Sequence, residues 1–151
     1  MVKFQATGGS LLMDCLIGLG ARKGFGVPGE SYLAVLDAMY DRADQFQLIL
    51  CRHEGGAAYM AEAWGKLTGA PGICFVTRGP GATNASIGIH TAMQNSSPML
   101  LFVGQVGTDM KGREAFQEID YKQFFGSIAK WVCEIDDADR IPELVARAWT
   151  I

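Results

Sequence analysis

The feature that most restricts how this chain can fold is a repeated unit: a short, almost wholly apolar run, a corner of glycine and polar residues, then a stretch of helical periodicity. Residues 48–51, 72–77 and 99–103 are such runs, each too short to be a helix of its own. Strands that are apolar on both sides are covered on both faces, and strands separated by helices pair in parallel. The expected fold is therefore α/β, three-layered and doubly wound, with a mostly parallel sheet of about six strands and helices on both faces. Ligand groups in such sheets gather at the carboxyl ends of the strands.

Taken in order, Thr7 is placed to cap a first helix in which Leu12, Cys15, Leu16 and Leu19 recur at helical spacing, until Gly24 ends the pattern. Phe25-Gly26-Val27 reads as a strand. Pro28-Gly29-Glu30 then turns into a helix with Tyr32, Leu33, Leu36, Met39 and Tyr40 on one face. The run at 48–51 leads through Arg52-His53-Glu54 into a small-residue helix carrying Trp64, and the run at 72–77 leads into a helix carrying Ile87, Thr91 and Met93. A long polar connection, 104–118, follows the run at 99–103; connections of that length are usually functional or mobile. Tyr121, Phe124 and Phe125 indicate a short amphipathic helix, 128–135 a final strand, and Ile141, Leu144, Val145, Ala148 and Trp149 a last helix opened by Asp136-Asp137.

The 151 residues, 49% of them hydrophobic, suffice for one domain with its own core and not for a second. A net charge of -3 supplies no basic field for nucleic acid. Cys15, Cys51, Cys74 and Cys133 are scattered, with no CxxC and no histidine at ligand spacing, so free thiols in a reducing cytoplasm and no metal site are expected. No apolar run approaches membrane-spanning length and no signal-peptide pattern opens the chain, so no membrane partner is expected. The helical pattern near 141–151 carries no capping signal, which reads as one domain taken from a longer protein.

The chemistry-bearing residues all fall at strand-to-helix corners or in the 104–118 connection. Glu54 has two readings, a first-turn acid that stabilises its helix or a carboxylate facing a ligand at the sheet's rim. In Thr77-Arg78-Gly79-Pro80-Gly81-Ala82-Thr83-Asn84 the glycines let backbone approach a ligand, although tight turns also use glycine for steric reasons alone. Phe116 is an aromatic in a segment otherwise built for solvent; being tucked onto the core is the commoner fate of such a residue, presentation to a ligand the rarer. His53, one residue before Glu54, reads as a packing or hydrogen-bonding residue, and His90 as structural. The sequence His53-Glu54-Gly55-Gly56-Ala57 lacks the second histidine of a zinc-protease helix.

As a set, Val27-Pro28-Gly29, His53-Glu54-Gly55-Gly56-Ala57-Ala58, Thr77 through Asn84, Gly104-Gln105-Val106 and Ala115-Phe116-Gln117-Glu118 resemble the N-terminal, pyrimidine-binding domain of thiamine diphosphate enzymes, on the branch of acetolactate (acetohydroxyacid) synthase. The resemblance covers essentially the whole chain. It implies that Glu54 is catalytic: its carboxylate would hydrogen-bond the ring nitrogen of the cofactor's aminopyrimidine and favour the imino form, which removes the thiazolium proton and generates the carbanion that attacks a 2-keto acid. It further implies that Pro28, Gly29, Thr77, Pro80, Gly81, Asn84 and Gln117 line the cofactor pocket, and that Phe116 and Gln117 stand beside the substrate. Lys130 falls near a lysine common in the family, with a solvated surface role as the simpler reading.

Some positions depart from the family pattern. Val27 stands where a tyrosine is common, Glu30-Ser31 where small residues are, and Glu114 where aspartate is usual. These departures leave the substrate open beyond a 2-keto acid, and decarboxylation and carboligation both remain. The resemblance also implies a diphosphate- and magnesium-binding C-terminal domain that this chain lacks, a site completed by another subunit in a homodimer or tetramer, and no activity for 151 residues alone. Two other readings compete: a stand-alone binding or regulatory subunit that docks on a complete enzyme, and a flavodoxin-type nucleotide domain, which would need a phosphate loop after the first strand.

Overall fold

The apolar runs assemble, in a computed structural model that describes residues 6–151, into one parallel sheet. Its strands are β1 (Lys23–Gly26), β2 (Gln47–Leu50), β3 (Gly72–Val76) and β4 (Met99–Val103), in the order β2-β1-β3-β4. All three strand pairs are parallel, with Phe25 opposite both Ile49 and Cys74, and Phe75 opposite Phe102. The helices are α1 (Gly8–Gly18), α2 (Leu33–Tyr40), α3 (Glu54–Thr68), α4 (Gly79–Asn95), α5 (Tyr121–Phe125) and α6 (Ile141–Thr150).

Alternation along the strands sorts the core into two layers. Ile73, Phe75, Leu100 and Phe102 face α1, α2 and α6, where Met13, Leu16, Met39 and Val145 complete a buried cluster. Cys74, Val76 and Phe25 face α3 and α4, against Ala57, Ala58, Ala61 and Ala85. Phe75 and Phe102 stack at 5.1 Å across neighbouring strands. The α/β class and the layers on both faces match the sequence expectation.

Small residues place α3. A Cβ at Gly72 would lie 1.8 Å from the Ala61 carbonyl oxygen, so the start of β3 is pressed against the α3 backbone. A Cβ at Gly88 would lie 2.5 Å from the Cβ of Ala58, so α4 crosses α3 equally closely. With both helices in that contact, their first turns come together above the carboxyl edge of the sheet.

Four expectations need correction. Among the described residues the sheet has four strands, not six, and 128–135 forms none: its residues are half-buried or exposed and sit beyond β4 without a ladder. Gly24 lies inside β1 and does not end the first helix, which stops at Gly18 before Gly20 takes a left-handed turn at φ 105°. Met39 on α2 and the preceding Tyr32 are buried but Leu33 and Tyr40 are exposed, so the five residues expected on one face do not share it. Phe116 is not tucked onto the core; 74% of its surface is exposed. The caps agree with expectation: the Thr7 side chain accepts from the Ser10 amide at 3.1 Å, and Asp137 opens the turn that precedes α6.

Candidate functional site

All four strands end on the same edge because they are parallel, so the corners at 27–30, 51–54, 77–81 and 104–105 form one rim. Glu54 is the first residue of α3 and is half-buried. Just before it, His53 caps the helix by accepting from the Gly55 amide on Nδ1 at 3.0 Å, the structural role its position suggested. Asn84, one and a half turns into α4, donates from Nδ2 to Glu54 Oε2 at 2.9 Å. Glu54 Oε1 accepts no hydrogen bond among the described residues. It faces Gly81, where an added Cβ would come within 3.6 Å of it and 3.0 Å of Thr77 Cγ2, so the glycine keeps open the space before the free oxygen.

The second group joins the ends of β1 and β3. Gly29 packs on Thr77, whose Cβ an alanine at 29 would meet at 2.7 Å. The hydroxyls of Ser31 and Thr77 hydrogen-bond at 2.9 Å, and Arg78 Nη1 pairs with Glu30 Oε1 at 2.8 Å. Tyr32 donates to the Val27 carbonyl at 2.5 Å, and burial, with Cys74 and Glu54 nearby, pushes its phenol up and keeps it a neutral donor. Burial, aided by the charges of Cys51 and Glu54, likewise pushes the Cys74 thiol up to about 12, so it remains an inert core group.

The third group is the 104–118 connection. Ala115, Phe116, Gln117 and Glu118 form a tight turn, closed by the Glu118 amide on the Ala115 carbonyl at 2.9 Å, with Gln117 left-handed at φ 65°. The Gln117 carbonyl accepts from the Gly79 amide at 2.9 Å, which fastens the turn to the start of α4. Glu118 accepts from the amides of Gly112 at 2.7 Å and Ala115 at 3.2 Å; these donors, Gly112 first, hold its carboxyl below the usual range. The turn therefore holds Phe116 out into solvent at the rim.

The rim thus brings together Pro28, Gly29 and Thr77; Glu54, Gly81 and Asn84, with Pro80 exposed in the first turn of α4; and Gln117, with Phe116 beside it. Lys130 stands apart beyond β4, where its Nζ donates to the Ile151 carbonyl. His90 is exposed in the middle of α4. Sequence reasoning missed Arg78, Glu30 and Ser31 as the ties between the first two corners. Opposite charges at two strand-end corners are the signal that could have exposed the Arg78–Glu30 pair. Among the described residues no group of three or more His, Cys, Asp and Glu could hold a metal ion, and no helix is long and apolar enough to cross a membrane.

A carboxylate with one oxygen anchored and one free, beside a glycine at the carboxyl edge of a parallel sheet, marks the rim of this α/β domain. The family described as "Thiamine pyrophosphate enzyme, N-terminal TPP binding domain" matches residues 6–124, and the chain belongs to that family. Acetolactate synthase of Bacillus subtilis (strain 168) is 39% identical over 144 residues, which are 95% of this chain and 25% of that protein. The acetolactate synthase large subunit of Lactococcus lactis subsp. lactis (strain IL1403) is 41% identical over 143 residues, 95% of this chain and 25% of that protein. The probable acetolactate synthase large subunit of Methanocaldococcus jannaschii is 40% identical over 144 residues, covering 95% and 24%. The chain spans about a quarter of the length of these curated relatives.

Proposed function

We propose that the chain is the pyrimidine-binding domain of a longer thiamine diphosphate-dependent enzyme, similar to acetolactate synthase, that decarboxylates a 2-keto acid or joins the resulting unit to a second carbonyl compound. The observation that carries this reading is the free Oε1 of Glu54 above Gly81, with Oε2 anchored by Asn84. The residues fit the cofactor: a flat aminopyrimidine needs an acid at its ring nitrogen and a gap without side chains, and both are present. The chemistry thiamine diphosphate supplies when bound is a thiazolium electron sink for breaking the bond next to a carbonyl.

The chain's own part is to bind and orient. Glu54 Oε1 would hydrogen-bond a ring nitrogen of the bound cofactor, and Asn84 fixes the carboxylate's rotation so that this oxygen stays forward. Pro28, Gly29, Thr77, Pro80 and Gly81 wall the pocket, the glycines letting backbone close on the ring. Phe116 and Gln117 stand at the open side, where the aromatic shields a 2-keto acid from water and the amide offers it a hydrogen bond.

The diphosphate and a magnesium ion belong to a further domain of the longer protein. Exposed Tyr59 and Met60 on α3 and Ile87 on α4 support assembly into a dimer or tetramer through this face, and four free thiols support a reducing cytoplasm. The test is calorimetric titration of thiamine diphosphate into the 151-residue chain and into the complete protein. Binding and turnover are expected only in the complete protein. Micromolar binding to the 151 residues alone contradicts the division of the site.

A further inference from the structure

Phe116 and Gln117 stand at the rim without a hold of their own. The Phe116 ring is 74% exposed, and the Gln117 side chain makes no hydrogen bond among the described residues. Their directions are therefore set by the backbone, and that backbone is uncommon: Glu114 and Gln117 are left-handed at φ 54° and 65°, as is Gly112 at φ 71°. Residues with a side chain seldom adopt this conformation, and it persists only where surrounding bonds impose it.

Those bonds converge on Glu118. Its Oε1 accepts from the Gly112 amide at 2.7 Å and its Oε2 from the Ala115 amide at 3.2 Å, so one carboxylate clasps residues 112–118 with both oxygens in use. Hydrogen bonds to an ionised carboxylate are about twice as strong as those between neutral groups. Gly112 follows Lys111, whose Nζ pairs with Glu134 Oε1 at 3.1 Å and Asp136 Oδ1 at 2.5 Å, which moors one end of the clasp beyond β4. The other end is moored on α4, where the Gly79 amide bonds the Gln117 carbonyl at 2.9 Å. None of residues 111–118 belongs to the buried clusters, so the clasp shapes this loop and does not hold the core.

We infer that Glu118 is a positioning residue: by clasping the Gly112 and Ala115 amides it fixes the direction in which Phe116 and Gln117 face the 2-keto acid, without touching that substrate itself. This deepens the reading of Phe116 and Gln117 made above and rests on it. Glutamine at 118 has nearly the same shape but one oxygen and one NH2 group, so it satisfies one amide and sets a donor against the other. The turn is then free to relax, and a displacement of about 1 Å at a substrate contact is enough to lower kcat/KM about a hundredfold.

The test is a mutant cycle in the complete enzyme, with kcat/KM measured on whichever of pyruvate, 2-ketobutyrate and benzoylformate is turned over fastest. The proteins are Glu118→Gln, the Phe116→Ala, Gln117→Ala double variant, and the triple variant. Glu118→Gln should lower kcat/KM about 10- to 100-fold in the native background, and less than about twofold once the two side chains it positions are gone. Amide exchange at Ala115 should quicken at least about tenfold in Glu118→Gln, with the core strands unchanged. An undiminished kcat/KM, an equal loss in both backgrounds or unchanged exchange at Ala115 overturns the proposal and leaves the substrate side of the rim standing. A Phe116→Ala, Gln117→Ala variant as active as the native enzyme overturns both. Where the glutamine variant does not fold, Glu118→Asp, which keeps both oxygens on a shorter reach, goes through the same cycle with a loss in the same direction expected.

Discussion

Asn84 holds Glu54 by one oxygen across the junction of α3 and α4, at 2.9 Å, and leaves the other free. The pair exists because Gly88 lets the two helices cross in contact with Ala58, which brings their first turns together. A first-turn acid that only complemented the helix dipole would need no such partner.

Glu54→Gln keeps an oxygen for Asn84 but removes the acid. In the complete enzyme turnover should fall about 100- to 10,000-fold, the usual worth of a positioned acid or base, while the melting temperature stays nearly unchanged. Steady-state kinetics and thermal melts on the same samples check both.

Gly81→Ala separates binding from folding. Alanine gains about 1 kcal/mol of helix propensity, offset by its contact with Thr77 Cγ2 at 3.0 Å. Stability should therefore change little, whereas the methyl group intrudes on the space before Glu54 and weakens thiamine diphosphate binding in the complete enzyme. Calorimetric titration beside thermal melts reads the two effects.

Gly72→Ala is the opposite case. The added methyl would stand 1.8 Å from the Ala61 carbonyl oxygen, a backbone atom that cannot swing aside. A loss of about 3 kcal/mol is expected in denaturant titration of the 151-residue chain.

Phe116→Ala should leave stability within about 0.5 kcal/mol, because the ring is 74% exposed. Turnover in the complete enzyme should nevertheless fall. Equal activity in the two proteins would remove Phe116 from the substrate side of the site.

Glu62 carries a pH dependence unrelated to the rim. This buried carboxylate accepts from Ser97 Oγ at 2.7 Å and Asn95 Nδ2 at 3.1 Å, and those bonds, Ser97 first, hold its pKa below the ordinary value. A folded-state pKa below the unfolded one contributes stability that is present above the unfolded pKa and lost as pH falls through the folded one. Melting temperature should thus drop from about pH 5 downward, and Glu62→Gln should flatten that slope. Thermal melts from neutral to acid pH, on both proteins, decide it.

Much of the rim was legible in the sequence, for a physical reason: parallel strands end together, so residues at successive corners become neighbours however far apart they lie in the chain. That rule puts Glu54 and Gly81 at the same edge; a ligand-facing Glu54 and a pocket role for Gly81 and Asn84 came from the family resemblance. The Arg78–Glu30 pair and the Ser31–Thr77 bond follow from neither, since they depend on which two corners adjoin, and that is set by strand order. The strand pattern at 128–135 was misleading because β character needs a partner as well as a sequence. Phe116 defeated expectation through backbone chirality: the left-handed Gln117 beside it fixes the turn that points the ring outward.

The strand order has a further consequence, for synthesis. β1 sits between β2 and β3, Lys23 pairing with Gln47 and Gly24 with Ile73, so the first strand made keeps one edge open until β3 has followed β2. At ribosomal speeds Phe25 waits roughly 3 to 10 seconds for its second neighbour to emerge, bare to any sticky surface nearby. Slow-translating codons placed before residue 72 would lengthen that exposure, and a nascent-chain chaperone would find its natural client there.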